Sequence, residues 1–176
     1  MVYLFLADGF EEIEALTCVD ILRRANIEIL TVSISEKNVK GAHGINVEAD
    51  MLISDCGQAQ MLILPGGGVG TDNLKASKPL ADFIRTAHEN GVYLAAICAA
   101  PTVFGGLGIL SGKNAVCYPG LEDGLIGATV SSERVCVDGK IITSKGPGTT
   151  SEFALTLVEI LKDKASADAL RKGMLW

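Results

Sequence analysis

Short, uncharged, apolar runs alternate along this chain with segments of helical periodicity, and that alternation restricts the possible folds more than any other feature. Residues 2–7 (VYLFLA), 61–64 (MLIL) and 92–97 (VYLAAI) carry no charged side chain. A strand apolar on both faces must be covered on both faces. Between them, Ala15, Cys18, Val19, Leu22 and Ala25 recur on one side of a helix. Further strands are expected at 27–34, 115–117, 135–137 and 141–144, the last two joined by Asp138-Gly139, and 39–53 reads as a hairpin. Helices are expected at 79–90 (with Gly91 as terminator), after Pro101, at 149–161 and at 165–172. Asp8 with Glu11 three residues on resembles a capping box for the first helix, leaving Glu12 to solvent. The pattern predicts a single α/β domain over 1–176, a mostly parallel sheet with helices on both faces.

Composition narrows the function. Of 176 residues, 48% are apolar and 20% charged, so the chain can bury a core without staples. A net charge of −6 argues against nucleic acid or an anionic membrane as partner. No apolar run approaches the roughly 18 residues of a membrane span. The first ten residues read as a strand, not a signal peptide. The five cysteines, odd in number and without a C-x-x-C pair, suit reduced thiols in the cytoplasm. Two distant histidines, His43 and His88, cannot build a histidine zinc site, and neither metal nor cofactor is expected.

In sheets of this kind ligands collect at the carboxyl ends of the strands. The Ala96-Ile97-Cys98-Ala99-Ala100-Pro101 segment puts a cysteine between strand and helix among small residues, the layout of a nucleophile elbow. The helix opened by Pro101 would favour a thiolate at Cys98. The other four cysteines read as small buried hydrophobes. Leu64-Pro65-Gly66-Gly67-Gly68 could aim free amides at an oxyanion; it lacks the lysine and hydroxyl of a phosphate loop. Gly146-Pro147-Gly148-Thr149 would shape a wall of the site. Glu14 stands at the edge of the apolar stripe of the first helix, where partial burial would raise its pKa and leave it a proton to donate.

Together, Glu11-Glu12-Ile13-Glu14, Leu64-Pro65-Gly66-Gly67, Ala95 to Thr102 and Gly146-Pro147-Gly148-Thr149 resemble the ThiJ/PfpI superfamily, within it the subgroup of the parkinsonism-associated deglycase and its bacterial relatives. The likeness runs from residue 2 to about 161. It implies a flavodoxin-like three-layer sandwich, a homodimer, Cys98 as nucleophile and site of oxidation to sulfinic acid, and Glu14 as its protonated partner. Gly67, Ala99 and Gly66 would supply backbone amides, and Arg24 would lie near the dimer seam. Many superfamily members carry a histidine where this chain reads Cys117-Tyr118-Pro119. Tyr118 then lines the site without acting as a base near neutral pH, and His43 would reach it only across a dimer contact.

The likeness implies action on methylglyoxal-type carbonyls, free or as adducts on glycated protein, that is, a deglycase or glutathione-independent glyoxalase. Alternatively Cys98 oxidises to sulfinate in a redox sensor or chaperone-like protein without turnover. A thiamine-pathway or peptidase role fits least, for want of a thiazole site and of the histidine.

Overall fold

The computed structural model describes residues 1–176. Strand β1 (Val2–Leu6) leads through a loop to α1 (Glu12–Arg24) and β2 (Ile29–Ser33). A small hairpin of β3 (Asn38–Lys40) and β4 (Asn46–Glu48) precedes β5 (Met51–Leu52). Then come β6 (Met61–Leu64), the helices α2 (Gly68–Ala76) and α3 (Lys78–Glu89), β7 (Tyr93–Ile97) and α4 (Pro101–Gly106). Two short strands, β8 (Asn114–Ala115) and β9 (Thr129–Val130), precede β10 (Val135–Asp138) and β11 (Ile141–Ser144). The chain closes with α5 (Thr150–Leu161) and α6 (Lys164–Gly173).

Seven strands make the central sheet in the order β10-β11-β7-β6-β1-β2-β5, parallel throughout except for β10 against β11. Alternate residues serve opposite cores. Val2, Leu4, Leu6, Ile63, Ile97 and Ile142 pack under α1, α5 and α6 with Leu22, Phe153 and Leu157. Tyr3, Phe5, Leu62, Leu64, Leu94 and Ile141 pack against α2, α3 and α4 with Leu74, Ile84 and Phe104. Burial on both faces is why these strands read as unbroken apolar runs. From β1 the sheet grows towards β2 and β5 on one side, then towards β6, β7 and β11 on the other. This reversal opens a crevice at the carboxyl ends of β1 and β6, where ligand sites form.

Several expectations are adjusted. The predicted hairpin over 39–53 contains the antiparallel β3–β4 pair, with Val39 opposite Val47, but Met51 and Leu52 leave it to edge the main sheet beside β2. The strand expected at 115–117 is the two-residue β8, paired with β9 outside the main sheet. No expectation covered α2, whose first turn holds Gly68 and Gly70, poor helix formers. Gly70 is there because a Cβ would lie 2.7 Å from the Gly9 carbonyl oxygen. The cap of α1 also differs. Glu11, not Asp8, is the N-cap and accepts the Glu14 N–H at 2.8 Å, while Asp8 accepts the amide of Lys40. Glu12 is buried instead of facing solvent. No helix is long and apolar enough to cross a membrane.

Candidate active site

Cys98 follows the last residue of β7 with φ +65°, a left-handed backbone that side chains other than glycine seldom adopt. Three hydrogen bonds hold it there. Its amide donates to the Ser144 carbonyl at 3.0 Å, its carbonyl accepts from the Tyr118 amide at 2.8 Å, and the Ala100 amide closes the turn onto Ile97 at 3.1 Å. Ala96 and Ala100 are fully buried beside it, so a larger neighbour has no room. The bend turns the cysteine onto the rim of the sheet, though only 9% of the residue meets solvent.

Glu14 reaches the same point from the first turn of α1 and is fully buried. Its Oε2 accepts the Gly66 N–H at 2.7 Å, and its Oε1 has no partner. Gly66 is wedged between the two functional side chains: a Cβ there would lie 2.6 Å from Cys98 Cβ and 2.8 Å from Glu14 Oε2. Only glycine fits that slot. Gly67 has φ +90°, and its amide and that of Ala99 are directed at the Cys98 sulfur.

The electrostatics follow from this burial. Desolvation pushes the Glu14 carboxyl up to about 7, against the opposing pull of the Gly66 amide and of Cys98, with Glu11 adding to the rise. Desolvation, then the charge of Glu14, push the Cys98 thiol up to about 12, while the amides of Gly67 and Ala99 pull it down. The expected lowering of the thiol by α4 is therefore corrected. That helix is only six residues long, and burial beside a carboxylate outweighs it. Glu14 releases its proton more readily than the thiol does, so above about 7 the pair's remaining proton sits on sulfur and the carboxylate is placed to take it.

The remaining expected residues divide. Gly66 does not offer its amide to an oxyanion, because that amide is engaged by Glu14. Tyr118, about half exposed, lies over Gly146, where a Cβ would sit 3.2 Å from the ring. Pro147 is half-buried and Gly148 exposed in the adjoining turn. Buried hydroxyls brace that turn, Ser144 Oγ and Thr149 Oγ1 lying 2.7 Å apart, and Arg134 donates to the Gly148 carbonyl at 2.7 Å. Arg24 is exposed at the far end of α1 and pairs with Asp20 at 2.7 Å. The His43 ring lies 2.8 Å from Glu12 of the same chain. His88 lies in the last turn of α3.

Sequence reasoning passed over Glu12 because two neighbouring acids open the same helix; only the hairpin folding over it makes it special. Glu11, Glu12 and His43 bring possible cation ligands within 4.8 Å of one another, but both Glu12 oxygens are already occupied by His43. A cavity of about 460 Å³ between Gln58, Phe83 and Asn90 contains none of the site residues.

Comparisons with known proteins place the chain as a whole. The model of the DJ-1/PfpI family matches residues 1–160. Protein DJ-1 homolog B of Arabidopsis thaliana is 42% identical over 167 residues, 92% of this chain but 38% of that protein, so the chain spans well under half the length of that relative. A Caenorhabditis elegans relative named glutathione-independent glyoxalase DJR-1.2 is 32% identical over 168 residues, 93% of this chain and 89% of its own. Among solved structures, oxidized Toxoplasma gondii DJ-1 superposes with a TM-score of 0.96 at 36% identity, covering 99% of this chain and 97% of that one.

Proposed function

The chain belongs to the DJ-1/PfpI family, and on that premise we propose that it acts through Cys98 on methylglyoxal-type carbonyls or their adducts on proteins. One observation carries the reading: a cysteine held at positive φ with a fully buried carboxyl placed against it by the Gly66 amide. The glyoxalase name of the nematode relative supports the substrate class.

The Glu14 carboxylate takes the thiol proton as the Cys98 sulfur adds to the aldehyde carbon of a 2-oxoaldehyde. A C–S bond forms, the carbonyl π electrons move to oxygen, and that oxygen takes the proton back from Glu14, giving a hemithioacetal. The Glu14 carboxylate then removes the hydrogen on that carbon as a proton and returns it to the neighbouring carbon, which leaves a thioester. Water hydrolyses the thioester to the 2-hydroxy acid and restores the thiol. With a protein adduct, the thiolate displaces the amine, which leaves with the proton. The amides of Gly67 and Ala99 stabilise negative charge at the sulfur. Tyr118, Pro147 and Gly148 form the wall on the side of β11.

Replacing Cys98 with Ser is expected to abolish lactate formation from methylglyoxal, followed by an enzymatic lactate assay; unchanged turnover refutes the reading. A second reading draws on the unpartnered Glu14 Oε1. Carrying a proton, it could hold an oxygen of an oxidised Cys98, as a redox sensor requires. A wild-type protein that takes up oxygen at Cys98 under peroxide yet releases no lactate serves only this second role. The free state of all five cysteines fits a cytoplasmic setting.

A further inference from the structure

Glu12 contributes nothing to the chemistry above, yet it is a nearly buried carboxylate bound entirely by one residue of a distant hairpin. Its Oε1 accepts the His43 amide at 2.7 Å and its Oε2 faces His43 Nδ1 at 2.8 Å. Room for it exists because position 41 is glycine: a Cβ there would run into the carboxyl group and approach Glu12 Cγ at 2.8 Å. The same hairpin is tied to the β1–α1 loop by backbone bonds from Gly9 N to Lys40 O at 2.7 Å and from Ala42 N to Phe10 O at 2.8 Å. The Asp8 carboxylate adds a bond to the Lys40 amide.

The next links lead to the catalytic pair. The Glu11 amide donates to the Gly66 carbonyl at 3.0 Å, and the Gly66 amide in turn donates to Glu14 Oε2 at 2.7 Å. The carboxylate of Glu11 caps the Glu14 amide. The β1–α1 loop is thus clamped between the hairpin outside and the Pro65–Gly67 turn inside, a contiguous path along which strain can be transmitted.

We propose that Glu12 and His43 form a positioning latch for Cys98 and Glu14, pressing the hairpin onto the β1–α1 loop and so keeping the Gly66 amide on the Glu14 carboxyl. The latch acts through backbone and touches no substrate. It rests on the reading of Cys98 and Glu14 as the working pair. The charged group that faces the latch is Glu11 on the same turn. Burial acts to raise the Glu12 carboxyl but the His43 ring and amide prevail and lower it, and Glu12 in turn raises the imidazole.

The test is the pH dependence of Cys98 alkylation by iodoacetamide, read by mass spectrometry on the intact chain. The wild type is expected to show an inflection near 7, where the pair loses its first proton. His43 is largely exposed, so His43→Ala should fold normally. With the latch open the Gly66 amide holds the Glu14 charge less firmly, and the inflection should move upward by roughly 0.5 to 1 pH unit. Gly41→Ala, which displaces Glu12 from the other side, should do the same. His43→Gln, which keeps a donor within reach, should restore most of the wild-type profile. A merely structural pair would lower the melting temperature and leave the inflection where it was, and that result overturns the latch. A wild type without any inflection near 7 would instead defeat the reading of the catalytic pair itself.

Discussion

At the scale of single residues, the decisive quantity is the cost of charging Glu14 in a place with no water. Its carboxyl is raised from an ordinary 4.5 to about 7, so between those values the folded chain holds a proton that the unfolded chain has released. Stability must therefore fall as pH rises through this window, by about 3 kcal/mol if the shift is fully expressed. The Glu12–His43 pair does not mask the slope. Its lowered carboxyl contributes fully above 4.5 and its raised imidazole fully below 6.5, so its share is level across most of the same range. Urea denaturation from pH 4.5 to 7 is expected to show a declining unfolding free energy in the wild type and a nearly flat one in Glu14→Gln. Parallel slopes in the two proteins would mean that Glu14 is not the buried acid described. In the sequence Glu14 was one of three acids within four positions, and its burial was suggested only by the apolar stripe that it heads.

At the scale of elements, the β7–α4 turn stores strain at the residue that does the chemistry. A non-glycine residue at φ +65° costs of order 1 kcal/mol or more. Glycine in a regular strand or helix is instead a loss of about 0.5–1 kcal/mol relative to alanine. Here the sign should reverse: Cys98→Gly is expected to be at least as stable as Cys98→Ala in thermal unfolding, since neither keeps the sulfur and only glycine relieves the backbone. A clearly less stable glycine variant would show the elbow to be unstrained. The small residues around Cys98 made this turn visible in the sequence. Helix α2 was not visible, because Gly68 and Gly70 weaken local helical preference, and Gly70 is there for close approach to the β1–α1 loop, a contact made over about sixty residues.

At the scale of the whole molecule, the reversal of strand order between β1 and β6 brings Glu14, Gly66 and Cys98 to one rim from three separate strand-to-helix connections. The same rim bears exposed apolar side chains around the first turn of α1, namely Ile13, Leu16 and the neighbouring Ile45 and Val69. We propose that the homodimer implied by the family resemblance uses this surface, with Arg24 further along the same helix. Sedimentation equilibrium at micromolar concentration is expected to report twice the 18.4 kDa chain mass, and a single-chain mass would remove the proposal. The layered α/β architecture and the elbow cysteine were legible in the sequence itself, because strand apolarity, helical period and small flanking residues are local signals that neighbours in the chain carry together. The state of the thiol was not legible: sequence suggested a helix end lowering its pKa, whereas burial next to Glu14 raises it. The use of the Gly66 amide and the pairing of Glu12 with His43 were equally hidden. Desolvation and hydrogen-bond partnership depend on which distant segments close over a group, and only the tertiary structure decides that.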